Sequence, residues 1–87
     1  MADRCYFVSP LRAEASSKGW LLANDDAAIC TFFSQSAALG CARSLALLDC
    51  AAGRSALVYE IMPLGEVVMR WRCHCHEREL LEVVPQA

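Results

Sequence analysis

No stretch of this 87-residue chain is both long enough and apolar enough to cross a membrane. The longest run without a charge, Ala27 to Ala42, is interrupted by Thr31, Ser34, Gln35, Ser36 and Gly40, whereas a spanning helix needs ~20 predominantly apolar residues. The opening Met-Ala-Asp-Arg passes straight into CYFVSP with no apolar segment between them. No signal peptide is therefore expected, and the expected compartment is the cytosol. Charge is sparse and nearly balanced, with ten acids against eight bases and a net charge of −2. A nucleic-acid-binding domain of this size usually carries a net basic surface, so the balance argues against that role. There is no Gly-rich phosphate loop, no serine nucleophile elbow and no paired-carboxylate arrangement. Asp25-Asp26, next to Asn24, reads as turn chemistry instead. Internal repeats and low-complexity segments are also missing. Neither an enzyme nor a cofactor is expected.

What is present is apolar: 56% of the residues against 21% charged, a composition that folds rather than stays disordered. The length suits one core, so residues 1–87 read as a single domain, with 1–4 and 76–87 as loose or partner-contacting ends. Six cysteines invite a disulfide framework. Without a secretory signal, however, reduced thiols are the expectation. Cys30, Cys41 and Cys50 lie among alanines and leucines, where free cysteine packs as a small hydrophobe.

The pattern predicts strands at 5–10, 20–24, 27–33, 55–62 and 66–74. Residues 11–19 read as a loop. Ser34 suits an N-cap and Gly53 a C′ stop, which predicts a helix over 35–52. Gly40, in its middle, weakens the helix by about 1 kcal/mol relative to Ala. Pro63-Leu64-Gly65 is a compact turn that folds the last two strands into a hairpin. The tail, CHERELLEVVPQA, could form a helical turn, a short strand or a loose end. The predicted fold class is α+β: a two-layer sandwich of a mainly antiparallel sheet packed on one helix, in the order βββαββ.

Tyr6-Phe7-Val8-Ser9-Pro10, Gly19-Trp20, Ser34 with Ala38, Leu39, Ala42, Arg43, Leu45 and Ala46, and the hairpin pieces 56–59 and 65–67 carry a resemblance. Over about residues 5–74 the chain resembles a group of small bacterial domains of unknown function. These open with an aromatic-x-Val-x-Pro strand and continue with a Gly-Trp pair. The resemblance implies βββαββ topology and no assigned activity, and it supplies no catalytic residues.

Cys73-His74-Cys75-His76 is the densest cluster of candidate metal ligands. On a strand, Cys73 and Cys75 share one face and His74 and His76 the other, so the four cannot converge on one ion. A closed zinc site also needs ligand pairs from two separate turns, and only one half-set is present. Neither a stoichiometric metal nor an intramolecular disulfide is expected, although a metal-binding or redox role through Cys73 and Cys75 remains a third reading. Thiol catalysis needs a base within reach, and adjacent strand residues point apart.

The same strand puts Arg70, Arg72 and His74 on one face and Met69, Trp71 and Cys73 on the core side. An arginine row could contact phosphate, which makes a nucleic-acid module using Arg70 and Arg72 the second reading. Solvation of an outer sheet face explains the row more simply. Trp20 and Trp71 read as core fillers.

In the helix Arg43 and Asp49 are the only charges. A wheel offers the core stripe Ala38, Cys41, Leu45, Leu48 and Ala52. The resemblance suggests another: Ala38, Leu39, Ala42, Leu45 and Ala46. Either stripe leaves apolar side chains uncovered, and a helix apolar all round is normally buried all round. The expected function is therefore protein–protein contact, most simply as a homodimer. Its interface candidates are Leu39, Leu47, Leu48, Cys50, Leu80 and Leu81, and it would bury the outer helix face, the outer sheet face near Trp71, or both.

Overall fold

The computed structural model describes residues 4–11, 19–73 and 79–83. Within them the elements run β1 (Arg4–Pro10), β2 (Trp20–Asn24), β3 (Ala28–Phe32), α1 (Gln35–Ala51), β4 (Ala56–Ile61), β5 (Val67–Cys73) and β6 (Leu81–Glu82). The predicted α+β class and βββαββ order are observed, and the open tail adds a two-residue sixth strand.

All the strands join one sheet in the order β3-β2-β1-β4-β5-β6. Its pairings are antiparallel except at the centre, where β1 and β4 run parallel. A parallel pair cannot be joined by a tight turn. Between β1 and β4 the chain passes through β2, β3 and α1, and the helix makes the return.

Local chemistry fixes both ends of α1. Ser34 is extended (φ −132°, ψ 149°) and its Oγ accepts the Ala37 N–H at 3.1 Å, filling one of the orphan donors of the first turn. At the other end Gly53 adopts φ +82°. Its N–H bonds the Cys50 carbonyl at 3.0 Å, and the Arg54 N–H bonds the Asp49 carbonyl at 2.9 Å. This is the double bond of a Schellman motif, which favours glycine at the left-handed position.

The face α1 turns to the sheet carries Ala38, Leu39, Ala42, Ala46, Asp49 and Cys50. Leu48 is 67% exposed, which rules out the stripe read from the wheel. The stripe suggested by the resemblance fits, with Leu45 half-buried beside the core. Three alanines without bulk let the helix lie close on Tyr6, Val8, Leu22, Ala56 and Val58 of the sheet. Trp20, Phe32, Trp71 and Leu80 close the flanks of this core.

Gly40 sits on the solvent side of α1, and a Cβ built there meets nothing within 4 Å. Gly40→Ala is therefore expected to stabilise the fold by about 0.5–1 kcal/mol. A rise in melting temperature of a few degrees, about 2–8 °C for a domain of this size, is the measurement.

Two strands carry an extra residue. In β5, Trp71 stands opposite Val58 and Met69 opposite Tyr59, so Arg70 is left between them. In β3 the same happens at Ile29, between the partners of Leu22 and Ala23. Such bulges shift every following side chain to the other face relative to a straight strand.

Candidate functional site

Cys50, in the last turn of α1, and Cys73, at the end of β5, form a disulfide with Cα atoms 6.0 Å apart. The expectation that all thiols stay reduced fails because the helix lays its C-terminal turn against the end of β5, bringing two buried sulfurs together. With its sulfur in that bond, Cys73 is no thiolate ligand for a metal. Cys5, Cys30 and Cys41 stay outside the bond. His74, Cys75 and His76 lie outside the described residues. Within those residues no three His, Cys, Asp or Glu side chains are grouped as a metal would need.

Next to the disulfide, the Tyr6 hydroxyl donates to Asp49 Oδ2, while Arg54 Nε and Nη2 donate to Asp49 Oδ1 at 3.1 and 3.0 Å. Asp49 and Tyr6 are both buried. A carboxylate in the last turn opposes the helix dipole, and Arg54 offsets it. Burial first, then the hydrogen bond and charge of Asp49, push the Tyr6 hydroxyl up to about 12. The group is an anchor for the helix end, with every buried side-chain polar atom satisfied among the described residues.

Because the folded chain holds the Tyr6 proton more tightly than the unfolded one, this contribution is whole below about pH 10, the unfolded value for tyrosine. It is lost as pH rises towards about 12. Stability should therefore fall over that interval more steeply in the native chain than in Tyr6→Phe. At neutral pH, Tyr6→Phe should cost about 1 kcal/mol for the lost bond. Urea unfolding at stepped pH measures both.

At the opposite end of the sheet Glu60, 4% exposed, accepts a bond from Gln35 Nε2 and pairs with Arg70 Nη1 at 3.6 Å. A cavity of about 200 Å3 opens beside it, lined by Pro10, Trp20, Ile61, Met62 and Pro63 as well as Gln35 and Glu60. Glu60 lies on the helix side of β4, so Arg70 is drawn to that side too. Arg72 stands opposite Leu57, on the other side. The bulge thus separates the two arginines that a straight strand would align, and the proposed arginine row does not exist. For the same reason Met69, placed by sequence on the core side, faces outward opposite Tyr59, whereas Trp71 does reach the core.

The remaining feature is the sheet face turned away from α1. It carries Cys5 and Phe7 from β1, Leu21 and Ala23 from β2, and Leu57, Tyr59 and Ile61 from β4. Met69 and Val67 from β5 and Leu81 from β6 extend it. At its centre, on the two middle strands, the Phe7 and Tyr59 rings stack with centroids 5.5 Å apart. A depression of about 320 Å3, lined in part by Ser9, Leu21 and Ile61, marks one end. Among the described residues Arg72 is the one charged side chain on this face, and no second layer lies over it.

The sequence-derived interface candidates divide. Leu39 and Cys50 are buried in the chain's own core, and Leu80 packs on that core. Leu47 and Leu48 stay on the solvent side of the helix, 38% and 67% exposed. Leu81 sits opposite Arg72 on the uncovered face. Sequence reasoning missed Phe7, Leu21, Leu57, Tyr59 and Ile61. Their signal was available in CYFVS and ALVYEI, which are apolar at nearly every position rather than at alternate ones, as in strands covered on both faces.

Compared with models of known protein families, with curated proteins and with solved structures, the chain matches none. Among the described residues no helix is long and apolar enough to cross a membrane. Disulfides persist in oxidising compartments, so a cytosolic location rests on the sequence reading alone.

Proposed function

We propose that the chain acts by protein–protein contact and assembles as a homodimer through the uncovered face of its sheet. One observation carries this reading: that face is apolar across its central strands, bears a single charge among the described residues, and is centred on the Phe7–Tyr59 stack. Such a patch on a small domain marks a contact surface.

Area supports it. Six strands spaced about 4.8 Å apart and about 20 Å long give a projected face on the order of 500 Å2. Side-chain relief brings this towards the roughly 800 Å2 per partner of a standard interface. Two such faces would pack about 10 Å apart, as in a β-sandwich. A face with almost no charge suits another uncharged face, and a second copy offers one in a twofold arrangement. Against this stands a loss of rigid-body freedom of about 4–15 kcal/mol. The exposed leucines of the helix could not offset that alone.

Light scattering over a wide concentration range is the test. The expected species has about twice the 9.6 kDa chain mass, and a strict monomer at high concentration overturns the reading. Tyr59→Glu should give a folded monomer by placing a charge at the centre of the interface. Leu47→Glu, on the helix, should leave the dimer intact.

A further inference from the structure

We infer that the cavity beside Glu60 binds a small primary alkylammonium ion, its charged head on the Glu60 carboxylate and its apolar stem against Trp20 and Met62. The site is independent of the self-association proposed above, because it opens on the helix side of the sheet. Topology sets its position. β1 and β4 lie side by side and parallel. From their carboxyl ends the chain leaves in opposite directions, to β2 on one side and to β5 on the other. Open sheets with parallel strands bind ligands at such a switch point, in the crevice outside the strand ends. Both departing turns are pinned. The Leu11 N–H donates to the Gly19 carbonyl at 2.8 Å, and the Met62 N–H to the Glu66 carbonyl at 2.7 Å. The crevice is therefore formed before any guest arrives.

Strand parity builds its walls. Val8 and Leu22 face the helix in the core, so Pro10 and Trp20, two residues along the same strands, share that side. Glu60 stands opposite Val8, which brings Met62 to that side too. α1 begins at Gln35, on the cavity wall, and about 200 Å3 stays open between these side chains. At about 30 Å3 per water-sized group, that volume holds on the order of six non-hydrogen atoms. Glu60 is 4% exposed, yet its own partners are few. Gln35 Nε2 donates to Oε2, and Oε1 is left with Arg70 Nη1 at 3.6 Å, longer than a hydrogen bond. A buried carboxylate is costly without close donors, and an apolar side chain would hold this place at least as well. Arg70 approaches from β5, whereas the cavity lies towards β1 and β2, so Oε1 can take a donor from the cavity side. An ammonium brings three donors on a compact charge. Pro10 and Met62 suit its short stem, and the Trp20 ring attracts a cation.

Titration of the native chain with n-butylammonium chloride is the test, followed by the Trp20 indole and Gln35 amide signals in proton–nitrogen correlation spectra. Saturable shifts confined to the cavity are expected, with a dissociation constant on the order of 1–10 mM for so small a ligand. n-Butanol, with a stem but no charge, should bind at least about tenfold more weakly, and butyrate should give no saturable shift. Glu60→Gln keeps the shape, removes the charge and should weaken binding at least about tenfold. Met62→Trp fills the cavity without touching the carboxylate and should abolish binding, which keeps the test decisive if Glu60→Gln fails to fold. Melting curves of both variants report folding. Nα-acetyl-lysine methylamide carries the same head and stem: tighter binding than n-butylammonium marks a lysine side chain as the natural source, and weaker binding a free amine. The inference is overturned by the absence of saturable shifts up to about 100 mM, by n-butanol or butyrate binding as well as the ammonium, or by undiminished binding to a folded Glu60→Gln chain. None of these readouts depends on whether the chain dimerises.

Discussion

Cys50→Ala together with Cys73→Ala is expected to lower the unfolding free energy by about 3 kcal/mol, the loop-closure contribution of a bond spanning a loop of this length. The cross-link joins residues separated by 23 positions, so the unfolded chain loses a substantial share of its freedom when the bond is present. In the folded chain both residues are buried, Cys50 at 2% and Cys73 at 0% exposure. Alanine leaves room where the sulfurs were, which adds a smaller packing loss. Burial also makes the bond hard for a reductant to reach, so reduction of the native protein should track its unfolding. Urea denaturation with and without reductant measures the difference. Coincident midpoints would show that the bond does not form. Thiol titration of the unreduced, unfolded chain gives an independent count: four reactive thiols rather than six if the bond is present.

The second large effect is expected from Leu22→Ala, at about 3 kcal/mol within the usual range of 2–5. Leu22 is the largest fully buried side chain among the described residues. It lies on β2 between Val8 of β1 and Cys30 of β3. Because the helix contributes mainly alanines to this core, no large side chain from above can move in to fill the space. Domains of this size have total stabilities of about 5–15 kcal/mol, so the variant should melt far below the native chain or fail to fold. A loss under 1 kcal/mol would mean that the helix can settle into the gap.

Much of the fold was legible in the chain. Ser34 and Gly53 bounded the helix because capping depends on single residues with local chemistry. The turn at 63–65 was equally local: Gly65 takes φ +97° and its N–H returns to the Met62 carbonyl at 2.8 Å. What a strand pairs with is not local. Neither period nor propensity marks β1 as the parallel neighbour of β4. The disulfide was hidden for the same reason, since only the packed helix shows where Cys50 ends.

The candidate site was legible only in part. A single extra residue at Arg70 turns a straight reading of 67–73 inside out on one side of the bulge, and that error produced the arginine row. The apolar outer face leaves its mark in CYFVS and ALVYEI, but strands apolar at nearly every position do not show which of their two faces a single helix covers. Leu39 and Cys50 looked surplus on a wheel because a wheel does not show that small alanines let the helix settle deeply enough to bury both.

The parallel pairing at the centre of the sheet also governs when the chain can fold. Arg4 is matched with Ala56 and Val8 with Glu60, so one side of β1 finds its partner only after most of the chain has been made. The β1–β2–β3 meander forms from neighbours, but contacts this distant in sequence close slowly and late. On the ribosome the first half of the protein emerges with one edge of β1 unpaired, and the helix can meet only the β1–β2–β3 part of its seat, lacking Ala56 and Val58. Commitment to the native state waits for β4, and the nascent chain is most open to aggregation or chaperone capture in the interval before it appears.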